Sequence, residues 1–175
     1  AVRAMAVADL NADGRADLVL TRFTANIDIL WGDGHGGFSV PQSLALDAIP
    51  AQVVIADFDG NGLVDLAAAQ TSTNNLGVLL NQGRGAFNPV INFPTGGAPN
   101  CIAAADLNGD GLPDLATGNV SSNDVSVLVN RGSGLFPSVA RFAAGPNPFA
   151  LTTADLNQDG KLDLIATNAG QGLSV

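Results

Sequence analysis

Residues 9–17 read DLNADGRAD, three aspartates and an asparagine, spaced two or four apart, wrapped around Gly14. Carboxylates about 5 Å apart repel by about 3 kcal/mol per pair at an effective dielectric near 20. A turn that needed only polarity would not repeat that cost. A hard cation such as calcium wants about six to eight oxygens at about 2.3 to 2.6 Å and converts the repulsion into coordination. The same pattern returns as DFDGNGLVD at 57–65, DLNGDGLPD at 106–114 and DLNQDGKLD at 155–163, with first aspartates 48, 49 and 49 residues apart. Repetition at constant spacing favours the cage over a solvated turn.

Positions 1, 3, 5 and 9 of each loop carry side-chain oxygens: Asp9, Asn11, Asp13, Asp17; Asp57, Asp59, Asn61, Asp65; Asp106, Asn108, Asp110, Asp114; and Asp155, Asn157, Asp159, Asp163. Position 7 varies freely, as Arg15, Leu63, Leu112 and Lys161, which is expected of a residue that offers only its backbone carbonyl. Position 6 is glycine in all four loops, so a sharp turn with positive φ is expected there. The set departs from an EF-hand, which closes with a glutamate at position 12 and lies between helices. Position 12 here is Leu20, Ala68, Thr117 or Ala166, so Asp at position 9 is the closing acid, inside a β-hairpin.

The rest of the chain repeats with the loops. Phe38, Phe87 and Phe136 recur at 49 residues, as do Pro50, Pro99 and Pro148. Each unit has a short apolar segment before the loop (MAVADL, VVIADF, IAAADL, LTTADL) and another after it (DLVL, DLAAA, DLATG, DLIAT). A third ends in ILWGDGHGGF, VLLNQGRGAF or VLVNRGSGLF, and a fourth follows (SVPQSLAL, NPVINFP, PSVARFA). Apolar runs punctuated by Gly, Asn and Pro about every 12 residues read as strands joined by tight turns. The predicted fold is all-β: a β-propeller architecture of four-stranded antiparallel blades, about 3.5 repeats of 49 residues, in one repeat domain over 1–175. The units run approximately 1–49, 50–98, 99–147 and 148–175, the last incomplete. It ends at Leu173-Ser174-Val175, which matches Val125-Ser126-Val127 at the start of a third strand. The small residues at 103–105 suit a crowded inner strand. An isolated arc of this kind exposes a blade face and a strand edge, so more blades or a second copy are expected to cover it.

Composition agrees. The chain is 175 residues long with 46% hydrophobic residues, enough for a core, while strong helix formers other than Ala and Leu are nearly missing. All sixteen acids are Asp and twelve lie in the loops; removing those twelve turns the net charge from −9 to +3, so the acidity belongs to the loops. Seven dispersed Lys and Arg argue against a nucleic-acid partner, and no apolar run approaches the roughly 20 residues needed to span a bilayer. Cys101, alone of its kind, aligns with Ala4, Gln52 and Ala150 and reads as a small residue at the start of a strand. No signal peptide is visible, and Ala1 rather than Met opens the chain, consistent with a processed or excised form.

These loops and their period resemble the FG-GAP or VCBS repeats of integrin-α-like β-propellers, whose blades carry a DxDxDGxxD calcium loop between first and second strands. The FG-GAP name is echoed loosely, by Gly37-Phe38 and the Phe87 and Phe136 positions. The resemblance implies about four structural calcium ions, one per loop, and an extracellular or cell-surface protein with a recognition or adhesion role. The ligand, protein or glycan, is not implied.

The residues outside the loops favour a scaffold over an enzyme. There is no Glu and no Tyr, His35 aligns with Arg84 and Ser133 at a hairpin tip, and Asp28, Asp33, Asp47 and Asp124 show no catalytic spacing. A carbohydrate-binding lectin is the second reading, and a non-catalytic propeller domain of a larger enzyme is a further alternative. Trp31 aligns with Leu80 and Val129, which favours a core role over a sugar platform, and the Phe residues read as packing between blades. The segments 21–28, 70–77 and 119–126 differ between units and are the expected contacts for any partner, with self-association through the open ends a further expectation.

Overall fold

Each acidic loop forces its flanking apolar segments into antiparallel register, because the first and last residues of the loop share one hairpin end. In the computed structural model, which describes residues 1–169 and 172–174, β1 (Val2–Ala8) pairs with β2 (Asp17–Arg22), Ala8 facing Asp17. The next repeat pairs β5 (Pro50–Ala56) with β6 (Asp65–Gln70), and β11 (Pro99–Ala105) and β12 (Asp114–Asn119) follow the same rule. So do β15 (Pro148–Ala154) and β16 (Asp163–Asn168). In all four hairpins the position-9 aspartate is the first residue of the second strand.

Third and fourth strands complete three antiparallel sheets of four. They are β3 (Asn26–Leu30) with β4 (Gln42–Ala45), β7 (Asn75–Leu79) with β10 (Ile91–Pro94), and β13 (Asp124–Leu128) with β14 (Val139–Ala143). A short hairpin, β8 (Asn81–Gly83) with β9 (Ala86–Phe87), caps the turn of the second unit. The fourth sheet has β15, β16 and β17 (Gly172–Ser174); Val175, included in the sequence match above, lies outside the described residues. No helix occurs among the described residues, so none is long and apolar enough to cross a membrane.

The sheets stack face to face in chain order, with their first strands β1, β5, β11 and β15 as consecutive neighbours. The period of two decides which residues meet. Val19, Ile27 and Ile29 of the first sheet pack on Val53, Leu66, Ala68 and Leu79 of the second. The opposite face of the second sheet, Ala67, Ala69, Leu76 and Val78, packs on Ile102, Leu115 and Leu128 of the third. Both faces of β6 are therefore buried, and alanine permits it. The small residues at 103–105 do lie on a first strand. This is an all-β arrangement of blade-like sheets, as the repeat predicted.

The phenylalanines correct one expectation. Phe58 and Phe136 meet edge to face at 5.9 Å, and Phe93 and Phe136 at 5.2 Å, between the second and third sheets. Phe23, Phe38, Phe142 and Phe149 are exposed instead. Position in the stack explains Phe38: its counterpart Phe136 is covered by the preceding sheet, whereas no sheet precedes the first among the described residues.

Candidate metal centre

Each loop is built around two carboxylates with different work. The position-1 aspartate accepts backbone N–H groups from across the loop: Gly14 N donates to Asp9 Oδ2 at 2.7 Å, Gly62 N to Asp57 Oδ2 at 2.8 Å, Gly111 N to Asp106 Oδ2 at 2.8 Å and Gly160 N to Asp155 Oδ2 at 2.9 Å. The donor is the position-6 glycine, whose φ is 82, 84, 87 and 83° in the four loops, the left-handed turn the sequence predicted. Position 3 accepts from the position-5 N–H, as in Asp13 N to Asn11 Oδ1 at 3.0 Å, Asn61 N to Asp59 Oδ1 at 3.1 Å, Asp110 N to Asn108 Oδ1 at 2.8 Å and Asp159 N to Asn157 Oδ1 at 2.9 Å. Position 5 accepts from position 7, whose side chains Arg15, Leu63, Leu112 and Lys161 take no part in these bonds.

The position-9 aspartate is a buried anchor. Asp17, Asp65 and Asp114 are fully buried, and each accepts with both oxygens. The Oδ2 atoms take the position-2 N–H of Leu10 (2.9 Å), Phe58 (2.8 Å) and Leu107 (3.0 Å), and the Oδ1 atoms take Gly32 N (2.8 Å), Asn81 N (2.7 Å) and Asn130 N (2.8 Å). Asp163 holds Leu156 N at 3.0 Å in the same way.

The four loops share this hydrogen-bond frame at positions 1, 3, 5 and 9, but among the described residues only the second loop brings three carboxylates together. In the second loop, carboxylate oxygens of Asp57, Asp59 and Asp65 lie within 4.8 Å of one another. Burial pushes the Asp65 carboxyl up to about 6, and Asp59 and Asp57 add to the rise, against the backbone bonds from Asn81 and Phe58. Burial likewise raises Asp114, while the Gly111 N–H and its neighbours hold Asp106 below the usual carboxylate range. A divalent ion at such a site offsets the repulsion among these carboxylates and favours their ionised form.

Two contributors were missed in the sequence. Position 2 (Leu10, Phe58, Leu107, Leu156) places an apolar side chain among the acids, and Leu10 and Phe58 are fully buried between sheets, tying the loop to the core. Asn81 and Asn130, each fully buried at the end of a third strand, reach the loop of the preceding repeat; Gly32 occupies that position in the first unit and hides the pattern. Trp31 packs on the core as predicted, but it also lines an open groove of about 360 Å³ with Asn11, Asp13, Arg84 and Gly85. Its Nε1 donates to Gln42 Oε1 at 3.2 Å. His35 is exposed in its turn. Asp28 pairs with Arg22 at 2.9 Å, and Asp124 with Arg141.

The sequence profile of the FG-GAP-like repeat matches residues 9–68, 57–117 and 109–166. No curated protein matches. Among solved structures, the chain is similar to BBS1N crystallised in complex with ARL6DN, with a TM-score of 0.67 and 14% identity over 94% of this chain and 50% of that one. It is similar to an Agrocybe aegerita lectin whose structure addresses recognition of non-reducing terminal N-acetylglucosamine (TM-score 0.61, 22% identity, 97% and 47% of the chains). The V. cholerae biofilm matrix protein Bap1 matches with a TM-score of 0.61 and 22% identity over 93% of this chain and 23% of that one. The chain thus spans half or less of these proteins, and at such identities the likeness is one of fold.

Proposed function

Because the chain belongs to the FG-GAP-like repeat family, we propose that it is a calcium-stabilised stretch of an extracellular β-propeller, a non-catalytic scaffold for protein interaction or adhesion. The observation that carries the reading is the convergence of Asp57, Asp59 and Asp65 oxygens within 4.8 Å, in a loop design used four times. The donors are all hard oxygens, the chemistry calcium prefers. Asp9, Asn11, Asp13, Asp17 and their equivalents would hold the ions, with the carbonyls of Arg15, Leu63, Leu112 and Lys161.

A bound ion stabilises the folded form by RT ln(1 + [L]/Kd), so millimolar calcium with an affinity of about 10⁻⁴ M contributes about 1.4 kcal/mol per site. The first prediction is that thermal unfolding shifts markedly downward in excess EDTA relative to calcium. Superimposable curves would remove calcium from the account.

A second reading, glycan binding, is favoured by the Trp31 groove. There Trp31 lines a groove together with Asn11, Asp13 and Arg84, a mixed polar and aromatic lining of the kind sugars occupy.

A further inference from the structure

The first three acidic loops are joined to one another by hydrogen bonds that run through the two buried asparagines. Asp17 Oδ2 accepts from Leu10 N, the Leu10 carbonyl accepts from Asn81 Nδ2 at 2.7 Å, and Asn81 N donates to Asp65 Oδ1. From Asp65 Oδ2 the chain continues through Phe58 N, from the Phe58 carbonyl to Asn130 Nδ2 at 2.9 Å, and from Asn130 N to Asp114 Oδ1. Each asparagine amide also donates within its own unit, Asn81 Nδ2 to Val64 O at 2.9 Å and Asn130 Nδ2 to Pro113 O at 3.0 Å. The side-chain oxygens accept from Gly83 N and Gly132 N at 2.8 and 2.9 Å. Both amides are fully committed and fully buried.

From this continuous network we infer that Asn81 and Asn130 are positioning residues that couple calcium occupancy between neighbouring repeats, so that filling one loop raises the affinity of the next. The inference rests on the calcium reading above. An empty loop relaxes under the mutual repulsion of its carboxylates, and the part of it that Asn81 grips is the Leu10 carbonyl. Any shift there leaves a buried N–H without its acceptor, which the structure resists. Asn81 is held at its other end by Asp65, the closing acid of the second loop. The geometry of one cage therefore biases the geometry of the other, and by linkage the effect is reciprocal.

The fold supplies a reporter beside the first loop, and with the second loop disabled its signal reads the first. Trp31, the single tryptophan, lines a groove with Asn11 and Asp13, so terbium bound in the first loop is excited through it. Terbium is titrated into the whole chain and into Asp57→Ala/Asp59→Ala, which disables the second loop and leaves the Asn81 side chain's own bonds to Leu10 O, Val64 O and Gly83 N in place. The expected result is a midpoint for the first loop raised about fivefold or more by the distant substitutions. In Asn81→Gly, a residue Gly32 already uses at the equivalent position, the same pair of substitutions leaves the midpoint unmoved. Should Asn81→Gly lose its β-sheet circular dichroism, Asn81→Ser takes its place. An unmoved midpoint with Asn81 present, or an equal shift with and without it, overturns the coupling. Absence of both sensitised emission and calorimetric calcium uptake is a different result, since it removes the calcium reading itself.

Discussion

At the scale of single residues, the loops separate strain that is used from strain that is only tolerated. Position 6 is glycine throughout, but position 4 is also left-handed, and there the chain places Ala12 (φ 61°), Gly60, Gly109 and Gln158 (φ 63°). A left-handed conformation costs a residue with a Cβ about 1 to 2 kcal/mol, part of which glycine returns through a more mobile unfolded chain. Ala12→Gly is therefore expected to stabilise by up to about 1 kcal/mol, raising the melting temperature by about 2 to 4 °C in a chain this size; a lower melting temperature would contradict it. Position 6 was legible because all four repeats agree; position 4 was not, because only two carry glycine. Cys101 was legible as a small residue at the start of a strand, and the structure buries it. Its Sγ lies 3.8 Å from the Pro148 carbonyl, and burial pushes the thiol up to about 11. Alkylation by iodoacetamide at pH 8 should be negligible in the folded chain and complete in denaturant, since only the thiolate reacts. Labelling of the native chain at the rate of a free thiol would show the site to be open.

At the scale of the element, each sheet end opposite the acidic loops is tied by a polar cluster that differs among the first three units, while the fourth repeats the third's asparagine–serine tie as Asn168 with Ser174. Arg22 with Asp28 serves the first sheet, Gln70 with Asn92 the second, and Asn119, Ser126, Asp124 and Arg141 the third. The clusters also catch the incoming connection: Ala48 N donates to Gln70 Oε1 at 2.8 Å and Gly96 N to Ser126 Oγ at 2.9 Å. The strands themselves were readable from apolar periodicity. These ties were not, because the first three repeats each solve the end differently, and the one reuse, Asn119 with Ser126 in the third and Asn168 with Ser174 in the fourth, is spaced seven residues apart in one and six in the other. Asp124 is the testable member. Burial pushes its carboxyl up, but hydrogen bonds from Ser122, Asn119 and Arg141 outweigh that and hold it below the usual range. An acid whose pKa is lowered by folding contributes stability above its unfolded value, about 3.9, and loses it as pH falls through the folded one. Asp124→Asn should therefore cost about 1 to 2 kcal/mol in urea unfolding at pH 7, and the gap to the unsubstituted chain should close below about pH 3. An equal gap at both pH values would place the contribution in packing rather than charge.

At the scale of the whole molecule, the repeat makes one position a measure of what the stack requires. Met5, Val53 and Ile102 are equivalent residues on the first strands of successive sheets. Val53 and Ile102 are 5% and 2% exposed because a preceding sheet covers them, while Met5 is 67% exposed. Val7 is likewise exposed on the same face of β1. Sequence period could announce the repeat but not which copy stays uncovered, since burial here depends on a neighbour rather than on the residue. The face wants another sheet of this kind, and in solution the 175-residue chain by itself has only its own copies to supply one. Light scattering is expected to show association at micromolar concentration, and Met5→Lys/Val7→Lys, which buries two charges in any such contact, is expected to return the chain to a monomer. The fold should survive, because neither side chain is buried at present. A monomer at all concentrations would mean that the exposed face is too small or too irregular to bind a second sheet without the covalent continuity that joins the others.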